Sequence, residues 1–235
     1  ADDLRLEIAG AAPTGEDHLV LRAARLLQHH TGTTAGASIR LTKRLPAGGG
    51  LGGGSSDAAS TLLALNRLWH TGLETDELAR LALELGADVP VFVHGHSAWA
   101  EGVGETLTPV ELPAHWYLVI HPGVTVSTGD VFGDTQLTRQ YPKSTLATFL
   151  EDGPQAFRNH CESVARRRFP AIGEALDWLE AQAGNSRLTG TGACIFARVG
   201  SRDEGETILA RLPEQWSGFV ARGINRSPAL DAVDH

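Results

Sequence analysis

The thirteen residues Leu45-Pro-Ala-Gly-Gly-Gly-Leu-Gly-Gly-Gly-Ser-Ser-Asp57 contain six glycines and close on two hydroxyls and a carboxylate. Glycine loses more conformational freedom on ordering than any other residue, so this density implies left-handed turns or an approach too close for a Cβ. Directly afterwards Ala58, Leu62, Leu65 and Trp69 recur at helical spacing, one apolar stripe of an amphipathic helix. Ser55, Ser56 and Asp57 stand where its N-cap is expected. A glycine loop opening into a helix offers free N–H groups and the positive end of the helix dipole, and a phosphate chain uses both. The loop does not end in Gly-Lys-Ser or Gly-Lys-Thr, and no Gly-x-Gly-x-x-Gly follows a clear strand, so a phosphate loop of another type is implied. A flexible glycine linker is the bland alternative, but linkers seldom run straight into a capped apolar helix.

Phosphoryl transfer from a nucleotide needs donors for the phosphates, positive charge for the developing anion, and a group that positions or deprotonates the acceptor hydroxyl. For the last role Asp88, in Gly86-Ala-Asp-Val-Pro-Val-Phe-Val93, is the best placed acid: it lies just beyond a helix and ahead of apolar residues that would hold it rigidly. An isolated aspartate there is more often a helix cap. A second glycine turn, Ser186-Arg-Leu-Thr-Gly-Thr-Gly-Ala-Cys-Ile-Phe196, puts Gly190 and Gly192 on either side of Thr191.

These groups need a frame. Leu4–Ile8 and Ser38–Thr42 alternate apolar and polar residues as half-buried strands do, and residues 17–29 between them read as a helix,. Gly10 to Gly15 reads as a turn, Glu74 to Leu85 as a helix with Thr75 at its N-cap, and Pro90 leaves a short helix or an edge strand open for the Asp88 segment,. Pro109 and Pro113 bracket a change of composition near Leu112 that divides the chain into domains at 1–111 and 112–235,. The second half reads as a strand at Trp116–Ile120, a loop from His121 to Asp134, helices at 159–169 and 172–183, a strand, a helix at 203–211 and a last strand at 218–222. Such alternation indicates an α/β or α+β layer.

With 235 residues, 42% of them apolar, the chain can bury a core,. A net charge of −8 argues against nucleic acid or an anionic membrane as principal partner,. Cys161 and Cys194 lie far apart, which suits a reducing cytoplasm, and no secretory signal or membrane span is visible,. His94-Gly-His96 could set two imidazoles on one strand face, but without a third ligand no metal site is assigned. Arg166, Arg167 and Arg168 read as a solvated helix face, and His29-His30 as a helix end.

Leu45 to Asp57 resembles the second motif of the GHMP kinases, of general form Pro-x-x-x-Gly-Leu-Gly-Ser-Ser; Gly86-Ala-Asp88-Val-Pro90 and the turn at Gly190 to Gly192 resemble motifs that the family carries in the same order. The resemblance runs from Asp17 to Asn225. It implies an α+β, two-domain fold, a glycine-loop α/β domain followed by a ferredoxin-like α+β domain, with the active site in the cleft between them. ATP and Mg2+ are the implied cofactors, with Pro46, Gly48, Gly49, Gly50, Leu51, Gly52, Gly53, Gly54, Ser55 and Ser56 around the triphosphate and Lys43 near the adenine. Asp88 is the implied catalytic base. Thr128 and Phe132, together with Gly190, Thr191 and Gly192, are the implied substrate contacts. The acceptor implied is the 2-hydroxyl of 4-diphosphocytidyl-2-C-methyl-D-erythritol, with Phe132 offering a face to the cytidine, in a monomer or homodimer. Two alternatives stand beside it, another small-molecule kinase of the family and a nucleotide-binding remnant without catalysis.

The chain departs from the family pattern at three places. It lacks Pro-Ala-Lys-Leu-Asn, whose lysine pairs with the catalytic aspartate, and the Tyr-His pair that follows; it has no methionine, so the front of the kinase is expected upstream of Ala1. His18 in Glu16-Asp-His-Leu19 replaces a family asparagine near the adenine.

Overall fold

The computed structural model describes residues 3–10, 18–140, 144–153 and 157–234. The expected turn at Gly10 to Gly15 falls almost wholly outside these residues, as do Glu16 and Asp17. The chain forms two packed units. One gathers Ala1–Ala47, Gly52–Leu112 and Ile224–His235, and the other Gly48–Leu51 and Pro113–Gly223.

In the first unit β1 (Leu4–Ala9) and β2 (Ala37–Thr42) pair in parallel, Leu4 opposite Ala37 and Ala9 opposite Thr42. A parallel pair needs a crossover, and α1 (Leu19–Thr31) supplies it,. Small residues let α1 and the next helix, α2 (Gly53–Leu68), approach closely: Ala23 and Ala24 of one and Ala58 and Ala59 of the other are buried around Leu27 and Leu62. Each such leucine contributes about 1.5–3 kcal/mol through burial. Next come α3 (Thr75–Ala82), α4 (Val89–His94) and the antiparallel pair β3 (Ala98–Glu101) and β4 (Thr106–Pro109).

The second unit is a four-stranded antiparallel sheet. Its β5 (Trp116–His121) lies between β7 (Ile195–Val199) and β8 (Ser217–Arg222), with β6 (Arg187–Leu188) outside β7. Helices α5 (Thr128–Phe132), α6 (Leu146–Asp152), α7 (Cys161–Arg168) and α8 (Pro170–Ala183) separate β5 from β6, and α9 (Arg202–Leu209) joins β7 to β8. This β-α-β-β-α-β order is ferredoxin-like. Leu118, Ile120 and Ile195 of the sheet and Ile172, Leu176 and Leu179 of α8 are wholly buried in one core.

The final helix, α10 (Pro228–Asp234), belongs to the first unit. Leu230 packs so closely on Gly95 that a Cβ there would sit 2.8 Å from its side chain. Asn225 exchanges hydrogen bonds with the backbone of Leu112, while Ser97 N–H donates to Asn225 and Ser227 N–H to Gly95. Residues 224–234 therefore pack within the first unit, whereas the 112–235 division grouped them with the second.

Candidate functional site

Helix α2 does not start at the serines. It reaches back to Gly53, with Gly52 as N-cap at φ 67° and no side chain capping it. Ser55, Ser56 and Asp57 lie inside the helix, and the expected side-chain cap is absent because glycine backbone makes the entry turn instead. The first intrahelical bond runs from Ser56 N–H to Gly52 at 2.8 Å. The N–H groups of Gly53, Gly54 and Ser55 thus have no acceptor within the helix, and no acidic residue occupies its first turn. That donor set fits a phosphate. A Cβ on Gly54 would meet Leu19 Cδ2 at 3.9 Å and one on Gly53 the Leu45 side chain at 3.6 Å, ordinary packing distances, so nothing crowds either position.

Gly52 is held against α4. A Cβ at Gly52 would come within 2.8 Å of the Phe92 ring. Phe92 lies one turn after Asp88, so the two share a face of α4, and buried Val89 and Val93 fix that helix in the core. The Pro90 ambiguity resolves as a helix, with proline in its first turn,. Asp88 occupies the cap position but makes no capping bond, and its carboxylate is exposed. It is therefore not consumed by the structural role that most aspartates in such a place fill.

Lys43, just beyond β2, directs Nζ to Asp57 Oδ2 at 2.6 Å, with side chains 12% and 24% exposed. Sequence reasoning placed Lys43 beside the loop but did not find Asp57 as its partner; a separation of fourteen residues gives no local signal. His18 completes this group. Its Nδ1 accepts from Val20 N–H at 3.2 Å and so caps α1. Burial, and then the Lys43 charge, hold its imidazole below the usual histidine range, with Asp57 opposing. The neutral ring is the form that can accept that bond.

In the second unit Gly48 and Gly50 take left-handed backbone at φ 69° each. The turn after β6 holds this stretch by two backbone bonds and one hydroxyl: Ala193 N–H donates to Gly48 at 3.0 Å, Cys194 N–H to Gly49 at 3.0 Å, and Thr189 Oγ1 to Gly49 at 2.8 Å. A Cβ on Gly50 would lie 2.5 Å from the Thr189 carbonyl oxygen. Gly48 and Gly49 of the glycine loop and the second glycine turn are thus one hydrogen-bonded assembly. Thr191 is buried, and its Oγ1 is 3.2 Å from Oγ1 of Thr128, the first residue of α5. Phe132, at the other end of α5, is 55% exposed and covers no core. Pro46 and Leu51 flank the glycines, both partly exposed.

Two supports went unseen in the sequence. Asp134 receives Arg167 at 2.7 Å and Arg168 at 3.8 Å, while Arg168 also donates to the Asp130 carbonyl. Arg166 pairs with Glu162 and Asp177. Arg167 and Arg168 are exposed, as a solvated helix face is, but they also brace the segment carrying Thr128 and Phe132, through an acid more than thirty residues away. Asn159 is the other support, bonded to the carbonyls of Leu188 and Gly190. His94 and His96 do not share a strand face, because His94 ends α4 and Gly95 turns the chain before His96. Among the described residues no group of three or more His, Cys, Asp or Glu could hold a metal, and no helix is long and apolar enough to cross a membrane.

The model of the GHMP kinases N terminal domain matches residues 18–96, and that of the GHMP kinases C terminal domain residues 150–218. The chain is 55% identical over 234 residues to 4-diphosphocytidyl-2-C-methyl-D-erythritol kinase of Alcanivorax borkumensis, covering 97% of this chain and 78% of that one. To the protein of the same name from Hahella chejuensis it is 49% identical, covering 99% and 81%. A crystal structure of 4-(cytidine 5'-diphospho)-2C-methyl-D-erythritol kinase superposes with a TM-score of 0.80 at 33% identity, over 94% of this chain and 82% of that chain. A homoserine kinase from Cytophaga hutchinsonii, at 20% identity and a TM-score of 0.66, shares the fold. Matched in both halves and closely related along nearly its whole length, this chain belongs to the GHMP kinase family.

Proposed function

We propose that this chain transfers the γ-phosphate of ATP to the 2-hydroxyl of 4-diphosphocytidyl-2-C-methyl-D-erythritol. The acceptor follows from the relatives that share about half their residues with it. The observation that carries the chemistry is the uncapped start of α2 beside a carboxylate, Asp88, that no cap bond uses. Asp88 takes the hydroxyl proton as that oxygen forms its bond to phosphorus, and the bond to the departing ADP oxygen breaks. Gly53, Gly54 and Ser55 donate N–H groups to the phosphates, Gly48 to Leu51 shape the loop, and Lys43 lies toward the adenine. Mg2+ would come bound to the nucleotide and would offset the charge of its phosphates. Thr128, Phe132 and the Gly190 to Gly192 turn contact the cytidine-bearing substrate. Two unpaired thiols, Cys161 and Cys194, fit a cytoplasmic setting,.

The test is a coupled ADP-release assay with the cytidine substrate, run with CDP as competitor, alongside Asp88→Asn. The variant should lose at least about a hundredfold in turnover and keep its affinity for a non-hydrolysable ATP analogue. Turnover that CDP leaves untouched would redirect the acceptor to another family substrate, and full activity in Asp88→Asn would remove Asp88 as the base.

A further inference from the structure

We infer that Asn159 is a positioning residue for the glycine loop, acting through the turn that follows β6. Its side chain spends every polar atom on structure that leads there. Nδ2 donates to the Gly190 carbonyl at 2.6 Å and to the Leu188 carbonyl at 3.1 Å, and Oδ1 accepts from Cys161 N–H at 2.9 Å at the start of α7. A primary amide is the one side chain of this size with two donors on one atom and an acceptor on the other. It therefore ties the helix start to both ends of the Leu188–Gly190 segment at once. Glu162 adds a second tie from the same helix, accepting from Leu188 N–H at 3.3 Å.

The segment so fixed is the one that grips the loop. Thr189 sits between the two carbonyls that Asn159 holds, and its hydroxyl donates to Gly49. The turn then closes through Gly192 N–H to the Thr189 carbonyl at 2.7 Å, which aims the next two amides at Gly48 and Gly49. A displacement of Leu188 to Gly190 is thus passed to Gly48 and Gly49 through backbone bonds, with no flexible side chain between them except Thr189. Asn159 touches neither nucleotide nor acceptor in this account; it sets where the loop lies. The inference rests on the glycine loop being the phosphate site.

Asn159→Asp isolates this role. The carboxylate keeps the acceptor for Cys161 N–H, and a negative charge at a helix start is favourable, but both donors are lost and an anion faces two carbonyl oxygens. The thermal midpoint should fall by several degrees as both donated bonds are lost, with the protein still folded at assay temperature, and affinity for a non-hydrolysable ATP analogue should fall about tenfold or more. Independently of any nucleotide, exchange of the Ala193 and Cys194 amide hydrogens should speed up in the variant. Asn159→Gln, which retains the donors on a longer arm, should recover part of both. Unchanged amide exchange in Asn159→Asp overturns the positioning role. Faster exchange together with a wild-type chain that binds no analogue upholds the tie between Asn159 and the loop and instead removes the phosphate-site reading beneath it. Wild-type affinity in a variant whose exchange has quickened overturns the claim that the turn sets the loop for nucleotide.

Discussion

Gly50→Ala separates the glycine loop from a mere flexible linker. Alanine at φ 69° carries a left-handed cost of about 1–2 kcal/mol,. Its Cβ would also lie 2.5 Å from the Thr189 carbonyl oxygen and 2.8 Å from that of Gly192. Both are backbone atoms, so the loop or the turn must shift. The bonds in the way are those from Thr189, Ala193 and Cys194 to Gly48 and Gly49, and losing one or two costs about 1 kcal/mol each. The sum is about 3 kcal/mol, a fall of roughly 10 °C in the unfolding midpoint for a chain of this size, together with a large loss of ATP-analogue affinity. Gly54→Ala is the control. Its Cβ would touch only Leu19 Cδ2, at 3.9 Å, and joins a helix, so the fold should hold or gain about 0.5 kcal/mol,, while a methyl group in the first turn, beside the free amides, weakens analogue binding. Thermal unfolding and calorimetric titration of both variants decide the matter. A Gly50→Ala protein with wild-type midpoint and affinity would refute the reasoning.

Three further outcomes are expected. His18 has its folded pKa lowered from 6.5, so its contribution to stability is complete above about pH 6.5 and declines as the pH falls from there toward the lowered value; His18→Asn, which keeps a capping acceptor, should flatten the stability curve between pH 7 and pH 5 in denaturant titrations. For Lys43 and Asp57, a double-mutant cycle to alanine should return a coupling of about 1–2 kcal/mol, above that of an exposed pair, because both side chains are largely covered,; zero coupling would make the contact incidental. Asp134 is held below its ordinary value by the Gln136 N–H, and then by Arg167 and Arg168, against burial, so the stability gap between wild type and Asp134→Asn should be full above about pH 4 and close as the pH drops through the lowered value, as followed by urea unfolding.

Local patterning made much of this molecule readable. Periodicity located α1, α2, α7, α8 and α9 to within a few residues, because an apolar stripe at helical spacing is a short-range property. The alternating strands β1 and β2 were found for the same reason. The short helices α5 and α10 were not, since Thr128–Phe132 and Pro228–Asp234 are too brief to show a period. The start of α2 was misplaced for a different reason: Ser55 and Ser56 are good caps in any chain, but here Gly52 turns left-handed and the helix begins earlier. Glycine has no side chain to advertise that choice. In the site, Asp88 and both glycine turns stood out by residue type and spacing. Asp57, Asp134 and Asn159 did not, because each acts through a partner that only the tertiary fold brings near.

The return of residues 224–234 to the first unit governs the order in which that unit can be completed. Synthesis releases Asp88 and α4 from the ribosome well over a hundred residues before the segment that covers the end of that helix, where Leu230 lies on Gly95 and Ser227 bonds to its carbonyl. Through that interval Gly95 lacks its cover, and the Leu112 backbone lacks Asn225. The first unit is therefore first in translation and last to close, and the helix bearing the reactive carboxylate receives its final clamp at the end. Long-range contacts of this kind slow folding, since a long loop must close before they contribute. A nonsense codon at any position from 224 to 227 would leave the sheet of the second unit whole and the Asp88 helix unclamped.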